Sequence, residues 1–156
     1  MTDDQKVDLI KQEYFKLQDF YEDFDKRAQV IKGWSITIAL AGIASSFIYK
    51  VPYLCLLSSV SALIFWRIET LWKTFQFHYR RRIKEIEEKI RLNDITSIVP
   101  LQMYKSWFES YYEGEIRMKD VMFITNVYMP HLYIFLIGLI CFFIQFLGLI
   151  KLNYCN

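Results

Sequence analysis

Glycine, proline and cysteine are scarce in this chain, and each shortage closes a class of explanation. Five glycines supply no glycine-rich loop of the kind that cradles a phosphate. Proline and glycine are both absent from residues 1–32, so nothing there interrupts a helix. The three cysteines, Cys55, Cys141 and Cys155, lie far apart with no CxxC and no Cys/His cluster. That spacing argues against a zinc site and against a disulfide framework. No metal ligand and no cofactor is expected. The two histidines, His78 and His131, stand alone and read as structural histidines rather than ligands or proton relays. Charge of neither sign dominates: the formal net charge is +2, which argues against a nucleic-acid coat protein. No Ser/His/Asp spacing, HExxH pair or pair of intramembrane carboxylates appears. No catalytic residue is assigned, and an enzyme is not expected.

Apolar residues, by contrast, make up 54% of the chain and aromatics 18%, while charged residues still reach 23%. The two populations are segregated along the sequence. The fold class this predicts is an all-α integral membrane protein, with three transmembrane helices and a long antiparallel cytosolic helical hairpin. Residues 1–11 are polar and acid-rich without a signal-peptide pattern, so the first span is expected to insert as a retained helix.

Residues 1–32 read as a cytosolic amphipathic helix. Thr2 suits its N-cap, and Asp3 and Asp4 oppose the helix dipole favourably. Val7, Ile10, Tyr14, Leu17, Tyr21, Phe24, Ala28 and Ile31 form an apolar seam at alternating spacings of 3 and 4. Such a seam needs a partner helix. Residues 67–93 offer one, continuing from the second span with Trp72, Phe75, Tyr79, Ile83, Ile86 and Ile90 on one face and charges on the others. The first helix runs toward the membrane and the second away from it, so the two would pack antiparallel.

Residues 33–66 form the expected two-span hairpin, Gly33–Tyr49 and Val51–Trp66, turning around Lys50 and Pro52. Each span is short for a hydrocarbon core of roughly 30 Å, and Trp34, Tyr49, Tyr53 and Trp66 mark its interfaces. Residues 94–120 comprise a linker and an aromatic helical region from Leu101 to Lys119, either interfacial or packed on the hairpin. Residues 121–156 hold the third span, with a crossing placed near Pro130–Ile150 and Val121–Met129 kinked away by Pro130. Lysine and arginine number six in residues 1–33 and ten in 71–120, against Lys50 in the first loop and Lys151 in the tail. The positive-inside rule then places the N-terminus in the cytosol and the C-terminus outside.

Two sets of residues carry the functional expectations. Ser35, Ala39, Gly42 and Ser46 form a small, partly polar face on the first span, answered by Ser58 and Ser61 from the second. These line a narrow pore or allow close helix packing. Arg80, Arg81, Arg82 and Lys84 form the densest positive run, suited to an anionic ligand, to lipid headgroups, or to salt bridges with the acidic first helix. Arg67 and Glu69 sit at the inner end of the second span, as a gate or as ordinary interfacial anchors.

The architecture of residues 1–93, with AQVIKGWSITIALAG at 28–42 and FWRIETLWKTFQ at 65–76, resembles the SLATT family. That family comprises bacterial two-span membrane effectors paired with nucleotide-signalling enzymes in antiphage defence; the third span here is an addition to its plan. The resemblance implies a homo-oligomeric pore or ion-channel effector of the bacterial inner membrane, gated through its cytosolic helices. Its implied partners are the lipid bilayer, further copies of itself, and a nucleotide or oligonucleotide signal from a partner nucleotidyltransferase. A non-channel membrane scaffold or assembly subunit and a phage holin-like lysis protein are the alternatives.

Overall fold

The computed structural model describes residues 2–114 and 116–148; Lys151, Cys155 and the expected end of the third span at Ile150 lie outside them. Among the described residues every regular element is helical. α1 spans Asp3–Tyr49 and α2 Tyr53–Arg91; a 3-10 turn at Ile95–Ser97 precedes α3 (Met103–Tyr112), α4 (Met118–Met122) and α5 (Thr125–Phe146). α1, α2 and α5 are each long and apolar enough to cross a membrane.

The two long helices stop for local reasons. Lys50 adopts φ 55° and the Val51 N–H reaches back 3.1 Å to the Ser46 carbonyl, a Schellman closure that Pro52 prevents from extending. Asn93, at φ 54°, ends α2 in the same way, with the Asp94 N–H 2.9 Å from the Lys89 carbonyl. Gly33 does not interrupt α1, since one exposed glycine costs a helix only about 1 kcal/mol.

The chain packs as two compact units, Met1–Ala28 with Leu71–Val121, and Gln29–Thr70 with Met122–Asn156.

In the first unit the start of α1 lies antiparallel to the end of α2. Tyr14 donates to Glu87 at 2.9 Å, the Gln76 amide donates to the Tyr21 carbonyl at 2.7 Å, and Lys73 pairs with Asp25. Ile10, Leu17, Ile83, Ile86 and Ile98 form the core, flanked by Tyr14, Tyr21, Tyr79, Ile95 and Met103. Each such buried aliphatic side chain contributes about 1.5–3 kcal/mol. The α1 seam is buried or half-buried throughout. On α2 the seam stops early: Ile90 is 48% exposed, while Ile98 from the following loop is 2% exposed. The region expected as one helix from Leu101 to Lys119 is instead α3 and α4, parted near Gly114 at φ 70°. Trp107 and Tyr111 pack on Phe75 and His78, whereas Tyr104 and Tyr112 face outward.

In the second unit α5 packs with the apolar parts of α1 and α2. A Cβ on Gly42 would press on the Ser58 hydroxyl, and one on Gly138 on the Ser59 hydroxyl and, at 3.0 Å, the Cys55 carbonyl, so the helices approach closely at both glycines. The chain break before the third span is at Phe123–Ile124, not at Pro130. Pro130 is the sixth residue of α5 and forgoes a single backbone bond there, so the helix runs on through it.

Candidate functional site: a buried polar network and a divided basic run

The second unit buries a chain of polar groups drawn from three helices. Ser35 Oγ on α1 lies 3.0 Å from His131 Nδ1 on α5, and His131 Nε2 lies 2.9 Å from Glu69 Oε2 on α2. Lys32, one helical turn before Ser35, brings Nζ to 3.1 Å from the other carboxylate oxygen, Oε1. Ser35, Glu69 and His131 are all 0% exposed. Beside an ionised Glu69, which only accepts, the imidazole donates from Nε2–H and accepts the Ser35 hydroxyl at Nδ1. Glu69 Oε1 accepts no hydrogen bond and has the adjacent Lys32 charge as its partner. A buried carboxylate without that compensation would be strongly unfavourable.

Nothing in local spacing signals this assembly. Ser35 and His131 are separated by 96 residues, and Glu69 and His131 by 62. His131, expected as a structural histidine, is fully buried with both ring nitrogens engaged, and it bridges two other helices. The one available signal was general, since a carboxylate and a histidine at or near apolar spans each require a partner. His78 fits its expected structural role, with Nδ1 2.9 Å from the Ser110 hydroxyl and its ring edge-on to Trp107 and Tyr111.

The small face of α1 is filled from within the chain. Ser35 enters the network; Ala39 is fully buried; Gly42 meets Ser58. Ser46 donates to Gln145 Oε1 at 2.8 Å. Ser58 donates to the Leu54 carbonyl at 2.9 Å and Ser61 to the Ser58 carbonyl at 2.8 Å. Ser59 adds the carbonyls of Cys55 and Phe135, both at 3.1 Å. Of the two roles expected for this face, close packing is the one seen within a single chain.

The basic run does not form one patch, because successive residues fan out around a helix of 3.6 residues per turn. Arg80 lies over the Phe77 ring, 4.1 Å from its centroid, and its Nε donates to the Tyr21 hydroxyl; Lys84 lines the same shallow surface with Gln18. Arg81 turns toward Glu109 and Glu113. Arg82 is 2% exposed and is committed to Glu13, Glu85 and the Val99 carbonyl. Burial works against its charge, and the hydrogen bonds it donates to Glu13 and Glu85 outweigh it, holding the guanidinium above its ordinary pKa. Of the roles expected for this run, Arg82 takes up the salt bridge to the acidic first helix. Among the described residues no group of three His, Cys, Asp or Glu could hold a metal ion.

No family model, curated protein or solved structure matches this chain. Ser35, His131 and Glu69 have the composition of a hydrolytic triad, but such chemistry needs an open nucleophile and an oxyanion site. All three residues are withdrawn from the surface.

Proposed function

We propose that the chain spans a membrane three times, with its N-terminus and residues 67–120 in the cytosol and its C-terminus outside. It acts as a homo-oligomeric, ion-conducting effector, and it is not an enzyme. The observation that carries this reading is the Lys32–Ser35–Glu69–His131 network. It joins polar groups from three apolar helices into a single directional assembly at the inner end of the spans, where buried ionisable residues mark a functional site by default. Such an assembly has two discrete states, joined or parted, as a gate requires. α1 and α2 each run unbroken from the first unit into the second, so a signal received by the cytosolic helices has a continuous route to the network. Thr37, Ala41 and Ala44 are exposed on α1 and offer the small surface at which copies meet. The resemblance to SLATT proteins supports a nucleotide-type trigger and a role in antiphage defence.

The test is conductance of the purified protein in a planar bilayer. Wild type is expected to stay closed until triggered. Glu69→Gln, which leaves Lys32 without its counter-charge, is expected to leak without a trigger. A wild type silent under every nucleotide and oligonucleotide, with a silent Glu69→Gln, would replace this reading with the membrane scaffold. The complete filling of the small face inside one chain favours that second reading. The large charged first unit speaks against a holin.

A further inference from the structure

The first unit contains a cleft of about 520 Å³ between α2, the loop after the 3-10 turn, and α3. Its size lies within the range of small-molecule sites. Its wall is held in place at some cost. Glu13 Oε2 accepts the Leu101 N–H at 2.7 Å, and Arg82 Nη2 donates to the Val99 carbonyl at 2.7 Å. Leu101 itself sits at φ 62°, a conformation uncommon outside glycine and retained where the surroundings enforce it. A buried ion pair and a strained leucine thus fix the segment that closes the cleft.

Ser106 lines this cleft; it is 6% exposed, and its hydroxyl has no hydrogen-bond partner. Buried hydroxyls are rarely left so. Arg82 is satisfied by Glu13 and Glu85. The lining's other cations are Arg81, which holds Glu113 at the rim, and Lys105. Glu109 stands 4.0 Å from the first and 3.9 Å from the second, beyond hydrogen-bond reach. A buried O–H donor, a guanidinium and an ammonium therefore line one polar space together with Glu109, which is loosely held, and Glu85, which is committed to Arg82.

We infer that this cleft binds a phosphomonoester group. Three donors from two helices, two of them cationic, suit a group with three terminal oxygens and nearly two negative charges. The Ser106 hydroxyl gains the acceptor it lacks, and Lys105 and Arg81 share the charge. The inference rests on the proposed effector only in giving its trigger a chemical class and a place; binding is measured without any conductance, so either can fail alone.

The experiment is thermal unfolding and equilibrium binding of the full chain in detergent. The probes are inorganic phosphate, glycerol 3-phosphate and micellar phosphatidic acid. Saturable binding of glycerol 3-phosphate or inorganic phosphate is expected at millimolar concentration or below. Binding of phosphatidic acid alone would keep the phosphomonoester but make its source a lipid. Ser106→Ala should weaken binding about tenfold without lowering the unfolding temperature, since its hydroxyl makes no bond in the empty protein. Lys105→Glu should abolish binding, and Lys119→Ala should leave it unchanged. Failure of all three probes to bind, or binding that survives both cleft substitutions, overturns the inference.

Discussion

Glu13 on α1 and Arg82 on α2 meet in a bidentate ion pair, 2.9 Å at Oε1 and 3.0 Å at Oε2, with both side chains withdrawn from solvent. Because the same two groups hold the Leu101 N–H and the Val99 carbonyl, the pair fastens the loop as well as the helices.

Removing one partner strands a buried charge. Glu13→Ala should destabilise the first unit by about 3–5 kcal/mol, read as a lower unfolding temperature by circular dichroism in detergent. The double variant Glu13→Leu with Arg82→Met should recover much of that loss, because no charge is then left unmatched. A single-variant loss below about 1 kcal/mol, the scale of a solvated pair, would contradict the burial.

Gly42 and Ala41 are neighbours in sequence with opposite surroundings. Gly42→Leu drives a side chain into Ser58 and should disrupt the second unit itself, lowering its yield and thermal stability in detergent. Ala41 is exposed, so Ala41→Leu should leave the monomer intact and alter oligomer size in light scattering. Equal effects of the two changes on monomer stability would refute the distinction.

Alkali should loosen the first unit. The hydrogen bond to Glu87 raises the Tyr14 pKa, and burial raises that of Tyr79. Below the unfolded tyrosine value of about 10 both states are protonated and the stabilisation is complete. As pH rises past it, the unfolded chain ionises first and stability falls. Tyrosinate absorbance should therefore appear together with loss of helicity. Tyr79→Phe should move the base-induced transition upward, since phenylalanine cannot ionise. An unchanged midpoint would exclude Tyr79 from it.

The topology follows from labelling. With Cys55, Cys141 and Cys155 replaced, Lys50→Cys should react with a membrane-impermeant maleimide on intact cells, and Asn93→Cys only after lysis. Labelling of Asn93→Cys on intact cells would invert the proposed orientation.

The long helices were legible because their signals are local and repeated. The seam from Val7 to Ile31 has one period, and the α2 seam answers it in antiparallel register. Ile90 failed because that register ends where the chain turns at Asn93, which periodicity does not report. The basic run misled for the opposite reason: adjacency in sequence is dispersal on a helix, and only the tertiary partner Glu13 shows that Arg82 points inward. The polar network was illegible. Lys32 and Ser35 share a face in any helical reading, but their meeting with Glu69 and His131 depends on how α5 docks. Gly138, whose contact with Ser59 sets that docking, carries no pattern beyond being small in an apolar run.

The order of synthesis gives the Lys32–Glu69 contact a further consequence. Both residues leave the ribosome before His131 exists, so the first two spans can close on each other with their carboxylate already matched by an ammonium. The nascent hairpin then has no need to hold an orphan charge against its apolar spans while some sixty further residues are made. When α5 arrives, its imidazole needs to find only a fixed acceptor and a fixed hydroxyl, and the third helix is sorted into place by two hydrogen bonds instead of by apolar contact alone.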